Sequence, residues 1–292
     1  MPDAASAAGR TPGLAAAVHL AGTGDQTFGR RLRLGLPLLN QGVTTMVHES
    51  PYYGARRPPQ QRGSKLLRVS DLLTLGWATI FESLNLLHFL ELEGFHEGGL
   101  SMVGLSMGGV HASMTAALYP GDVACVPLLA PRSAAVAYCD GAMGGIMDWD
   151  ALLRRADERD NDRRETLRAL KRVLETFTDI TRFPVPRRPD ASILVAATDD
   201  AYVSVQSVRE LHHYWPGSEL RLVSGGHVTA FLLHQNTFRT AILDSLMRLK
   251  QQHSSPDPLL PQETPQPPDS HPGHQASHWP LKEAKERATR LT

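Results

Sequence analysis

Short apolar, β-branched runs alternate along this chain with longer stretches of helical periodicity, and that alternation restricts the fold more than any other feature. Runs this uniformly apolar bury both faces, which requires a parallel sheet with helices covering each side. The pattern therefore predicts an α/β protein with a mostly parallel sheet and helices on both faces. Strands are expected over 15–20, 43–48, 100–105, 123–129, 193–197 and 220–223. Helices are expected over 28–40, 70–92, 107–118, 149–157, 163–177, 205–214 and 229–250.

The alternation is interrupted between 140 and 189, where charged helical segments and a proline-rich exit read as a short helical cap inserted into the domain. Acids and bases interleave there, as on a solvated helix face. From residue 252 the chain carries 8 of its 21 prolines, with Ser, Gln and His. Such a composition does not bury enough apolar surface to offset ordering entropy, so 252–292 is expected to be a disordered Pro-rich tail. The expected organisation is a flexible 1–13, one domain over 14–251, and that tail.

Lys+Arg and Asp+Glu both number 30, so the chain lacks the basic excess that nucleic-acid binding demands. No stretch is long and apolar enough to span a bilayer, and no secretory segment is evident. Two cysteines, Cys125 and Cys139, make neither a disulfide framework nor a zinc cluster. No HExxH or EF-hand pattern occurs, so neither metal nor cofactor is expected.

One motif carries chemistry. Gly104-Leu-Ser106-Met-Gly108 matches G-x-S-x-G, a weak pattern by itself, but it lies between an expected strand and an expected helix. That is the arrangement of a nucleophile elbow, in which a sharp turn raises a serine above the sheet at a helix N-terminus. The hydroxyl needs a base, and the base an orienting acid, in the chain order Ser, acid, His. Of the 13 histidines, those after the acid include His212, His213, His227 and His234. His227 follows a strand through Ser224-Gly225-Gly226 and precedes a helix, as the base requires; the others read as helix residues. The acid follows the strand over 193–197, where Asp199 and Asp200 both stand. Asp200 is preferred because Val203, three residues on, suits the start of the next helix, and Asp199 is the alternative.

An oxyanion hole needs two N–H donors, one after the nucleophile and one from the loop behind an earlier strand. Met107 supplies the first, and Gly22 or Thr23 in the glycine-rich HLAGTGD stretch the second. That stretch lacks the residues of a phosphate-binding loop.

The blocks HLAGTGD, ESPYYGARRP, VSDLLTLG with Glu82, GLSMGG, DDAYV and WPGSELRLVSGGHVTAFLLHQNTFRTAI resemble the alpha/beta hydrolase domain-containing protein 18 family, from His19 to about Leu249. The resemblance implies an alpha/beta-hydrolase fold, with nucleophile, acid and base at Ser106, Asp200 and His227. It further implies a mitochondrial setting, against an otherwise cytoplasmic one, and deacylation of phospholipid with peripheral membrane contact. In two respects the chain departs from the family pattern. It begins at what reads as the third strand of eight, so the sheet is expected to lack its first strands and to leave 43–48 at an edge. Its insertion is also short, which implies an open pocket. The stretch Tyr52 to Arg57 places arginines where one could meet an anionic head group, or forms a surface loop. Two functions from different classes follow: a serine esterase acting on a lipid acyl ester, or a catalytically silent, truncated hydrolase-fold scaffold.

Overall fold

The computed structural model describes residues 14–146 and 163–252. The expected helix over 149–157, the N-terminal 1–13 and the tail beyond 252 lie outside the described residues.

Six strands form one sheet in the order β2-β1-β3-β4-β5-β6, with every pairing parallel. They are β1 (Ala15–Leu20), β2 (Val43–Val47), β3 (Leu100–Leu105), β4 (Ala124–Leu128), β5 (Ile193–Ala197) and β6 (Glu219–Val223). All lie within a residue of expectation, and β2 is an edge strand, as its position in the pattern implied.

Side chains alternate across the strands, so each face of the sheet has its own core. From β1, Ala16, Val18 and Leu20 join Met102, Cys125 and Leu194 on one face. Ala15 and Ala17 join Val103, Val126 and Val195 on the other. The first face is covered by α2 (Val69–Leu92), α3 (Met107–Leu118) and α5 (Val205–Tyr214), through residues such as Ile80, Leu87, Val110 and Leu211. The second is covered by α1 (Gly29–Gly35) and α7 (Gln235–Gln252), through Leu34, Phe238, Ile242 and Leu246. Between β4 and β5 lie a π-turn (Val136–Asp140), a 3-10 turn (Ala142–Ile146) and α4 (Arg163–Thr178).

Two helices differ from the sequence reading. The segment expected as one helix over 28–40 ends at Gly35 and continues as a 3-10 turn over Leu36–Gln41, because Pro37 has no N–H to carry the α-helical ladder. The segment expected over 229–250 is two helices, α6 (His227–Leu233) and α7, broken at His234. His234 Nε2 lies 3.0 Å from the Ser224 carbonyl, which ties the break back to the loop before α6. His234 is therefore a hinge between helices rather than a residue inside one.

Candidate active site

The strand order reverses direction about β1, whose neighbours β2 and β3 leave on opposite sides. At such a switch point the loops leaving the strands' carboxyl ends diverge and open a crevice. The loops after β1 and β3 line it.

Ser106 caps α3 with φ 53° and ψ −117°, a strained conformation for any residue with a Cβ. Its N–H donates to the Leu128 carbonyl at 2.8 Å, anchoring the turn to β4. The surrounding glycines are sterically obligatory. A Cβ on Gly104 would lie 2.0 Å from the Gly108 carbonyl oxygen, and one on Gly108 2.6 Å from the Leu20 carbonyl oxygen. On Gly109 a Cβ would come within 2.4 Å of the Ala130 Cβ. Met107 is the first residue of α3, where a backbone N–H has no preceding turn to bond.

Across the crevice, the loop behind β1 carries Gly22 and Thr23. Asp25 N–H donates to the Gly22 carbonyl at 3.1 Å, closing a tight turn, and Gly24 N–H donates to the Tyr53 hydroxyl at 3.3 Å. Beneath the loop Arg31 donates to Asp25 Oδ2 at 2.9 Å, to the Thr27 carbonyl at 2.8 Å, and to the His48 carbonyl. Arg31 and Asp25 are both buried. Tyr138 lies near Thr23, and burial pushes its phenol upward in pKa.

His227 opens α6, and its Nδ1 lies 2.6 Å from Asp200 Oδ2. The Asp200 carboxylate is 1 % exposed; its other oxygen accepts from the N–H groups of Tyr202 and Val203 at 2.8 and 2.9 Å. Asp199 turns away: its Oδ2 accepts from the Thr198 hydroxyl at 2.8 Å, and its N–H donates to the Gly225 carbonyl. The Tyr202 ring packs 5.2 Å from the imidazole. His212 bonds Ser218 and His234 bonds Ser224, so neither reaches the crevice.

Ser106, Met107, Gly22, Thr23 and His227 all line one cavity of about 560 Å³, with Asp200 behind His227. Its walls are otherwise mostly apolar, with Leu73, Trp77, Ile80, Val110, Met114 and Phe177 among them. His111 also lines it, and burial holds that imidazole neutral, its pKa lowered to about 4.

Of the two readings of Tyr52 to Arg57, the structure shows the surface loop: Arg56 donates both guanidinium nitrogens to Glu82, at 2.7 and 2.6 Å, and neither Arg56 nor Arg57 lines the cavity. The arginines that do are Arg30 and Arg33 of α1, which sequence reading missed because nothing in their spacing distinguishes them from an ordinary exposed helix face.

A six-stranded parallel sheet covered on both faces, with a serine on a strained strand-to-helix turn, defines the class of alpha/beta hydrolases. Within that class the chain belongs to the family described as alpha/beta hydrolase domain containing 18, whose model matches residues 6–162 and 153–248. Solved structures share the fold at low identity. The Pyrococcus furiosus esterase Pf2001 is 14% identical with a TM-score of 0.52, covering 81% of this chain and 82% of its own. Est1E from Butyrivibrio proteoclasticus, solved with ferulic acid bound, is 14% identical with a TM-score of 0.52, covering 81% and 91%. TT1662 from Thermus thermophilus is 15% identical with a TM-score of 0.53, covering 80% and 90%.

Proposed function

We propose that this hydrolase is a serine esterase that cleaves a lipid acyl ester through an acyl-enzyme at Ser106. The observation that carries the reading is the Asp200–His227 pair, its carboxylate buried and its imidazole on the cavity that Ser106 lines from its strained turn. With Nδ1–H held by Asp200, the imidazole presents Nε2 as the basic nitrogen. His227 Nε2 takes the Ser106 proton as Oγ attacks the ester carbonyl, and the carbonyl π electrons move onto oxygen. The N–H of Met107, with that of Gly22 or Thr23, receives the oxyanion. As the tetrahedral species collapses, the alcohol leaves with the proton from His227. Water, deprotonated by the same imidazole, then releases the fatty acid and restores Ser106.

The apolar lining supports an acyl chain as the buried part of the substrate, since a cavity of this size and character gains from apolar burial and offers a strongly polar group few partners. A phospholipid deacylase is the form of this activity that the family membership favours.

Labelling by a fluorophosphonate probe tests the reading. The parent protein is expected to label and Ser106→Ala not to. Among nitrophenyl esters, kcat/KM is expected to rise with acyl length until the cavity is filled. A folded parent that stays unlabelled overturns the esterase and favours the silent-scaffold alternative.

A further inference from the structure

Exposed apolar side chains cluster around the cavity. Val228 and Leu232 lie one turn apart on α6 and are 60 % and 58 % exposed; Phe177 of α4 and Tyr202 of the loop behind β5 are partly exposed as well. All four line the same cavity although they come from three separate segments. Leu233, outside the lining but next to Leu232, is 77 % exposed. Arg30 and Arg33 stand on the same rim, exposed, and neither pairs with a carboxylate among the described residues.

We propose that this rim is a docking surface for an anionic lipid bilayer, with the α6 leucines and valine entering the headgroup–acyl boundary and Arg30 and Arg33 meeting lipid phosphates. The purpose of docking rests on the esterase reading; the docking itself is measurable without turnover. Apolar side chains beside unpaired cations are the combination that holds a protein in a membrane interface. Charge complementarity favours a bilayer over other occupants, because two free guanidiniums match phosphate-bearing lipid. Position favours it too: a protein seated over this mouth would block the way to Ser106, whereas a bilayer would deliver an acyl chain to it.

Co-sedimentation of the full chain with vesicles tests the proposal, using phosphatidylcholine alone and phosphatidylcholine mixed with phosphatidylglycerol. The parent and Ser106→Ala are expected to pellet alike, and better with the anionic vesicles. The Arg30→Gln/Arg33→Gln double variant is expected to lose about fivefold in affinity per arginine on anionic vesicles only. Leu233→Ser is expected to lose several-fold on both compositions while keeping the parent's fluorophosphonate labelling, which shows that it is folded. A labelled parent that fails to pellet with either vesicle overturns the docking and leaves the esterase standing. Variants that bind like the parent overturn it as well. So does a parent dimer in sedimentation velocity that Leu233→Ser dissociates, since the face would then cover a second copy.

Discussion

His227 Nδ1 and Asp200 Oδ2 lie 2.6 Å apart, and the aspartate that makes this contact is almost wholly buried while its neighbour Asp199 faces Thr198. Two adjacent carboxylates thus have opposite surroundings. In Asp200 both oxygens are occupied, one by two backbone N–H groups and one by the imidazole, so the carboxylate has a single orientation.

That asymmetry sets the first expected outcome. Asp200→Asn leaves the geometry nearly intact but offers an amide where the ring needs an acceptor, and kcat is expected to fall about 10⁴-fold. Asp199→Asn is expected to stay within a few-fold of the parent. Esterase assays on the two purified variants decide the matter, and equal losses would remove Asp200 from the orienting role.

Beneath the β1 loop, Arg31 and Asp25 form a buried ion pair. Arg31→Leu would leave Asp25 buried without its partner and free the carbonyls of Thr27 and His48. Breaking such a pair typically costs about 3–5 kcal/mol, which urea unfolding would register. Because the loop carries Gly22 and Thr23, kcat is expected to fall more than KM rises. A variant as stable as the parent would show the pair to be dispensable.

Buried histidines predict an acid-sensitive fold. Burial, with Arg31 nearby, lowers the His19 pKa from 6.5 to about 3, and burial with His48 nearby lowers His111 to about 4. On unfolding both rings recover ordinary basicity, so below pH 6.5 the unfolded chain binds protons that the folded chain does not. Stability is therefore full above that pH and is lost as pH falls towards about 4 and then 3, with a slope of up to about 1.4 kcal/mol per pH unit for each ring. His111→Gln is expected to flatten the upper part of this dependence in urea midpoints measured across the range. An unchanged slope would point to other groups.

The elbow glycines leave no room for a methyl group. Gly104→Ala would set a Cβ 2.0 Å from a backbone carbonyl oxygen that belongs to the elbow helix itself, so the helix would have to shift. Overpacking of this kind costs about 1–3 kcal/mol or more. The thermal midpoint is expected to drop and labelling of Ser106 to fail even where the protein still folds. Gly145→Ala, where a Cβ meets nothing within 4 Å, is the matched control.

Much of this architecture was legible in the linear pattern. The six strands follow from apolar runs bounded by turn residues, and the α3 elbow from small residues behind Gly104-Leu-Ser106-Met-Gly108, because backbone sterics act between near neighbours and leave a local signature. His227 was separable from His212 and His234 by its loop for the same reason. The choice of Asp200 over Asp199 rested on one local relation, the spacing to Val203, whose N–H does bond the Asp200 carboxylate.

Other features were decided only when distant segments met. At the break between α6 and α7, His234 bonds Ser224 ten residues earlier, and the surface loop over Tyr52 to Arg57 is held by Arg56 on Glu82 of α2. Arg30, Arg33, Tyr138 and Phe177 reach the cavity because α1, the π-turn and α4 converge above the sheet's carboxyl edge. The sequence by itself determined what each segment becomes, since propensity and periodicity are properties of neighbours along the chain. Which side chains share one cavity was left to the tertiary structure, because that depends on packing between elements far apart in sequence, for which no local pattern exists.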